Sequence, residues 1–125
     1  MADQGPGINR RTYRTFEPVS LGTAAPGWRA IYIHEPSEGE PGWSANPLIA
    51  WAIYQVTTRP VKGSAARERS EGRQILGVVL DEGTWAMCPE EAANFWRYLG
   101  PDEPDPSPAE VQAEQTRHAE LGPEA

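Results

Sequence analysis

The sequence predicts a mainly β fold with one C-terminal helix, arranged as a small antiparallel, partly open SH3-like barrel or as a curled sheet. Short apolar runs rich in β-branched and aromatic residues alternate with loops rich in glycine and proline, which is typical of small β domains. All five tryptophans lie between Trp28 and Trp96, and such large rings let a small core bury enough apolar surface. The length of 125 residues leaves room for one domain of this kind.

Five runs are predicted as strands: 12–21, 28–35, 48–58, 74–80 and 84–88. The first contains Pro18, which confines it to a sheet edge because proline donates no ladder hydrogen bond. The third is the longest apolar run and is expected to be central. The last two form a hairpin, since Asp81-Glu82-Gly83 between them is a turn signal.

The helix of the predicted fold is placed at 89–99. Pro89 suits the first helical position, and the two glutamates after it favour the positive end of the helix dipole. Apolar residues at i, i+3, i+4 and i+7 predict one face that buries Phe95 and Trp96 against the sheet. Gly100, followed by proline, is the predicted stop.

The chain divides into a disordered leader at 1–11, a compact β-rich domain with its terminal helix at 12–101, and an acidic, proline-rich tail at 102–125. The net charge of −7 belongs mostly to the tail, because residues 100–125 hold seven acids and one arginine. A capping-box pattern predicts a marginal helix at 108–121. The tail is expected to be a solubilising appendage, so its removal should leave stability unchanged; the alternative is that its helix docks on the basic loop.

The basic loop, predicted at 59–73, supplies most of the candidate binding residues. These candidates are Arg59, Lys62, Arg67, Arg69, Arg73 and, from the predicted loop 36–47, Trp43. If the fold brings them to Arg10, Arg11 and Arg14, they form a phosphate-contacting patch, with Tyr13 or Trp43 as stacking surfaces. The simpler interpretation is solvated charges that balance Glu68 and Glu71. The sequence favours it, because the domain has no net positive charge.

A catalytic interpretation has Cys88 at a helix N-terminus as nucleophile and His34 as its base. One cysteine and one histidine without a family signature carry little weight, so we expect no catalytic residues. Glu35, Glu38 and Glu40 lack the ordered spacing of a calcium loop, and 72–77 is not a phosphate-binding loop. We expect no metal and no cofactor.

The sequence also bears on location. A single cysteine allows no internal disulfide. No apolar run approaches the roughly 20 residues that span a bilayer, and the N-terminus lacks a signal-peptide pattern. We therefore expect a cytoplasmic protein with no membrane contact.

Three segments carry a resemblance: Gly27-Trp28-Arg29-Ala30-Ile31-Tyr32, Ala50-Trp51-Ala52, and Asn94-Phe95-Trp96-Arg97-Tyr98-Leu99-Gly100. Through them, residues 12–101 resemble small uncharacterised proteins of actinobacteria and of their phages or integrated elements. The shared positions are structural aromatic residues, so the resemblance carries over no active site. It implies a bacterial cytoplasmic setting.

Two long loops on a compact β core predict a small non-enzymatic binding or adaptor module that acts through its loops on a protein partner. The alternative is a nucleic-acid-binding accessory protein that uses the basic loop. A Cys88-dependent enzyme is a lesser alternative. The sequence does not indicate an oligomeric state.

Overall fold

A computed structural model describes residues 12–63, 67–81 and 85–121, which form seven strands, one 3₁₀ turn and one α-helix. The strands are β1 Thr12–Thr23, β2 Arg29–Ile33, β3 Trp43–Pro47, β4 Ala50–Pro60, β5 Arg69–Asp81, β6 Trp85–Met87 and β7 Phe95–Leu99. The helix, α1, spans Pro108–Glu120. The prediction of a mainly β fold with one C-terminal helix is therefore confirmed. The predicted leader lies outside the described residues, as do Glu82 and Gly83 of the predicted turn, whereas Asp81 is the last residue of β5.

Four strands form an antiparallel sheet in the order β1-β4-β5-β6. The apolar strand β4 lies inside this sheet, and β1 lies at its edge, as the sequence predicts. The ladder between β1 and β4 shifts register between Pro18 and Ser20. Proline cannot donate to the ladder, so a bulge on an edge strand is where it is tolerated.

The remaining strands form a second antiparallel sheet in the order β3-β2-β7. Part of the predicted loop 36–47 is thus wrong, because Trp43–Pro47 is a strand and Trp43 pairs with Ile33. The predicted basic loop is also shorter than expected. Arg59 lies on β4, while Arg69 and Arg73 lie on β5.

The two sheets pack on each other through a shared apolar cluster. Its buried members are Ala30, Leu48 and Val79, and Trp28, Tyr32, Trp51, Met87, Phe95 and Tyr98 pack against them. The rings of Trp51 and Tyr98 stand edge-on with their centroids 5.2 Å apart. A Cβ on Gly77 would lie 2.7 Å from Cε1 of Tyr98, so only glycine allows this approach. The sheets are not closed into a barrel, and a small curled sheet is the description that fits.

The predicted helix at 89–99 is wrong. Pro89–Glu91 makes a single 3₁₀ turn, and the chain then continues as β7. Asn94 begins the pairing with β2, because its carbonyl accepts from the Ile33 N–H at 2.9 Å and its side-chain amide donates to the Ile33 carbonyl at 3.1 Å. Aromatic residues favour strands, and the unpaired edge of β2 gives them a partner. Trp96 is half-buried, with the Arg97 guanidinium over its ring.

The C-terminal segment covers the second sheet, and not the 59–73 region. Its helix α1 begins at a capping box between Ser107 and Glu110, as the sequence predicts. Val111 is only 4% exposed, and a Cβ on Gly42 would lie 3.1 Å from its Cγ1 atom. The Gln115 amide donates to the carbonyl of His34 at 2.9 Å.

Ion pairs join the same segment to the same face of the sheet. Arg29 pairs with Asp105, and Arg97 pairs with Glu110 at 3.5 Å. Arg29, Ile31 and Ile33 share one face of β2, because every second residue of a strand points the same way, so these buried isoleucines face the covering segment. The segment is therefore neither a free appendage nor a cover for the basic residues.

Candidate functional site

A basic cleft lies at one end of the four-stranded sheet, where β1 begins, β4 ends and β5 begins. It has a volume of about 620 Å³, within the range of roughly 300–1,000 Å³ typical of ligand sites. Its lining residues are Thr12, Tyr13, Arg14, Thr58, Arg67, Arg69 and Glu71. We call this site the basic cleft.

Strand register assembles the cleft from distant parts of the chain. Arg14 pairs with Thr58 across β1 and β4, and Thr58 pairs with Arg69 across β4 and β5. Residues that pair directly in an antiparallel ladder place their side chains on the same face. Arg14 and Arg69 therefore flank Thr58 on one face of the sheet.

A bulge in β5 adds Glu71 to this group. The ladder between β4 and β5 shifts register at Val56, and Gly72 has φ of +83°, a conformation that favours glycine. The Gly72 N–H donates to the Ser70 hydroxyl at 3.2 Å, which ties the bulge locally. The Glu71 carboxylate thereby reaches the Thr58 hydroxyl, which donates to it.

Glu71 neutralises one of the three arginines of the cleft. Its carboxylate lies 3.3 Å from Nε of Arg14. The hydrogen bond from Thr58, with the charges of Arg14 and Arg69, lowers the pKa of Glu71 below its usual value. The carboxylate is therefore ionised at neutral pH, and Arg14 is its partner.

Among the arginines that line the cleft, Arg67 and Arg69 have no ion-pair partner within the described part of the chain, whereas Arg14 has one. Carboxylates hold Arg14, Arg29, Arg59, Arg97 and Arg117 in ion pairs. Both unpaired arginines are exposed in the cleft. The charge of Arg69 acts on Glu71, but three arginines against one glutamate leave the cleft lining with a formal charge of +2, which suits an anionic ligand.

The other predicted binding residues lie apart from the cleft lining. Arg59 is held by Glu68 at 3.0 Å and Glu17 at 3.8 Å, and its Nε donates to the Thr15 hydroxyl. Its role is to join β1, β4 and the segment before β5. Lys62 and Arg73 are exposed and do not line the cleft.

Trp43 does not join the arginines, because it lies on β3 in the other sheet. It lines a groove of about 390 Å³ beside α1, together with Pro41, Pro106 and Val111. The aromatic residue in the cleft is Tyr13, which is 51% exposed. Arg10 and Arg11, the other bases near Tyr13, lie outside the described residues.

Cys88 and His34 form no catalytic pair in the structure. Cys88 is fully buried in the core cluster of the four-stranded sheet, and burial raises the pKa of its thiol to about 12. His34 is exposed and lies 2.7 Å from the Ser44 hydroxyl in the other sheet. A neutral, enclosed thiol is a poor nucleophile.

Within residues 12–63, 67–81 and 85–121, no group of three or more histidine, cysteine or acidic side chains could hold a metal ion. No helix in the described part of the chain has the length and apolar character needed to cross a membrane.

Sequence reasoning identified Arg67, Arg69 and Arg14 but missed the role of Glu71. Glu71 was expected to be a solvated counter-charge, and the glycine after it was the only signal of the bulge that turns it inward. Thr12 and Thr58 were missed as lining residues, because nothing in the sequence reveals the register that places them there.

Comparison of the chain with protein-family models, with curated proteins and with solved structures finds no match.

Proposed function

We propose that this chain is a small non-enzymatic binding module whose partner is a protein, and that the basic cleft receives an acidic segment of that partner. The observation that carries the proposal is the pair Arg67 and Arg69, exposed in a cleft and without an ion-pair partner among the described residues. Arginine suits this task, because its planar fork matches a carboxylate. A bacterial cytoplasmic setting, which a single buried cysteine permits, is part of the proposal.

Three further features support a binding role. The cleft lies beside the turn between β4 and β5, and connecting segments at a sheet end commonly make contacts with partners. The ion pairs of Arg59 with Glu17 and Glu68 link β1, β4 and the segment before β5 next to the cleft. The arginines of the cleft therefore extend from strands that are linked to one another. The Cys88 thiol is fully buried and is not among the residues that line the cleft, whose binding groups are arginines and hydroxyls.

The test is fluorescence anisotropy with a labelled short peptide of alternating glutamate and serine. The Arg67→Ala/Arg69→Ala variant should bind about tenfold more weakly, which corresponds to about 1.4 kcal/mol. The Arg73→Ala variant is the matched control, since it removes an exposed arginine of β5 outside the cleft. The double variant removes two charges and Arg73→Ala removes one. If Arg73→Ala lost half or more of the binding free energy that the double variant loses, only net charge would matter and the proposal would be wrong.

A nucleic-acid partner is the second candidate function, and Tyr13 favours it. An exposed aromatic ring beside arginines is the combination with which single-strand binders stack bases and contact phosphates. Electrophoretic shifts with a single-stranded oligonucleotide at several salt concentrations test it. Each lost phosphate contact should reduce the slope of log affinity against log salt by about 0.7. A Tyr13→Ala variant should then bind the oligonucleotide more weakly and the acidic peptide unchanged.

A further inference from the structure

We infer that the anion taken by the basic cleft is a phosphate monoester, carried by a phosphorylated side chain of the partner protein. This inference rests on the proposed function and names the chemical group that the cleft recognises. It follows from the number of uncommitted charges and from the hydroxyl groups around them.

The charge of the cleft matches a dianion. Three arginines and one glutamate line it, so its formal charge is +2. Arg14 is committed to Glu71 and is also close enough to the Glu90 carboxylate to stabilise its ionised form. The two remaining charges belong to Arg67 and Arg69. A phosphorylated side chain carries about −1.5 to −2 charges at neutral pH, whereas a carboxylate carries one.

The donors of the cleft suit a tetrahedral group. Thr58 already donates to Glu71, but Thr12, which lies on the same face of β1 as Arg14, lines the same space. Two guanidinium forks with the hydroxyl of Thr12 supply more donors than the two oxygens of one carboxylate need. A phosphate monoester offers three strong acceptor oxygens and uses this set better.

The same argument separates a phosphoprotein from a nucleic acid. Backbone phosphates of DNA and RNA are diesters with one negative charge each, spaced along an extended chain. A single cleft with two exposed arginines that take part in no ion pair among the described residues fits one doubly charged group at one point. A nucleic acid would need further basic side chains in a row along the surface to contact successive phosphates. Arg59, beside the cleft, is instead neutralised by carboxylates.

The decisive probes are phenyl phosphate and phenyl sulfate, which share a shape but differ in charge. Binding to the full chain is followed by NMR through the side-chain Nε–H signals of Arg67 and Arg69. At about pH 7.5 phenyl phosphate should bind at least about tenfold tighter. Near pH 5 the phosphate takes up a proton and the difference should disappear.

Phenyl sulfate keeps one charge throughout, so it also reports titration of the protein's own groups. Two such groups face Arg14. The pKa of Glu71 is lowered by its hydrogen bond from Thr58, and burial raises that of Glu90. Phenyl phosphate binding should be lost in Arg67→Ala/Arg69→Ala and kept in Arg73→Ala. Equal affinity for the two probes at about pH 7.5 would overturn the inference.

A peptide series distinguishes this inference from the proposed function. One acidic peptide is made with phosphoserine, glutamate or serine at its centre, and an oligonucleotide is titrated in parallel. We expect the phosphoserine form to bind most tightly, in an arginine-dependent manner. If the glutamate form binds equally, the acidic-segment function stands and the phosphate inference fails. If no peptide binds, both fail, and preference for the oligonucleotide would replace them with the nucleic-acid alternative.

Discussion

Removal of residues 103–125 should strongly destabilise the protein, contrary to what the polar composition of this segment suggests. The truncation deletes Val111, which is 4% exposed, and uncovers Ile31 and Ile33, which are 0% and 2% exposed. Full burial of an aliphatic side chain contributes about 1.5–3 kcal/mol. Losing the burial of Val111 and half that of each isoleucine therefore costs about 3–6 kcal/mol. Small domains have a total stability of only about 5–15 kcal/mol.

The assay is thermal unfolding of the full chain and the truncated chain, followed by circular dichroism. At roughly 4 °C for each kcal/mol in a protein of this size, we expect the melting temperature to fall by at least about 10 °C. Arg29 and Arg97 also lose their carboxylate partners, but exposed ion pairs add little. A truncated protein that melts within about 2 °C of the full chain would refute the view that this segment belongs to the core.

Point variants separate packing from chain length. Val111→Ala should cost about 2 kcal/mol, because it removes two buried carbon atoms and leaves a small cavity. Gln112→Ala changes the next, exposed residue of α1 and should stay within about 0.5 kcal/mol of the wild type. Equal losses of stability in these two variants would show that the packing of Val111 on the sheet does not contribute to the free energy of unfolding.

Three further predictions follow from the packing. Gly77→Ala should lower the free energy of unfolding by about 1–3 kcal/mol, and with it the urea midpoint, because a Cβ would lie 2.7 Å from Cε1 of Tyr98. An unchanged urea midpoint would contradict this close approach. Cys88 should resist a thiol reagent in the native state, because it is fully buried. Its thiol has a pKa of about 12 in the folded protein and 9.0 in the unfolded chain, so its contribution to stability should be lost as pH rises from 9.0 to about 12. A Cys88→Ala variant should show a shallower alkaline loss. Phe95→Ala should destabilise more than Trp96→Ala, because Phe95 packs on Tyr32 and Tyr98 in the shared core; the reverse order of melting temperatures would contradict β7 as assigned.

Features that depend on local chemistry were predictable from the sequence. Pro18 placed β1 at an edge because a missing N–H is a property of the residue itself. The long apolar run at 48–58 indicated a central strand, and β4 pairs on both sides, with β1 and with β5. Ser107 and Glu110 marked the start of α1 because each caps the other within one turn.

The candidate site was predictable only in part. The density of arginines pointed to the region, and two of the six candidate residues, Arg67 and Arg69, line the cleft. Which arginines remain uncommitted could not be foreseen. That depends on which carboxylates lie within reach across the sheet, as Glu17 and Glu68 do for Arg59.

Tertiary structure decided the rest. Residues 95–99 have the spacing of a helix and the composition of a strand, and the unpaired edge of β2 selected the strand by satisfying backbone hydrogen bonds. The position of α1 depended on an apolar face of the second sheet that no local pattern reveals. The cleft arose from antiparallel register, which brings Arg14 and Arg69 to either side of Thr58. Register is set by the fit of whole strands, so contacts between residues this far apart in the chain exist only once the sheet has formed.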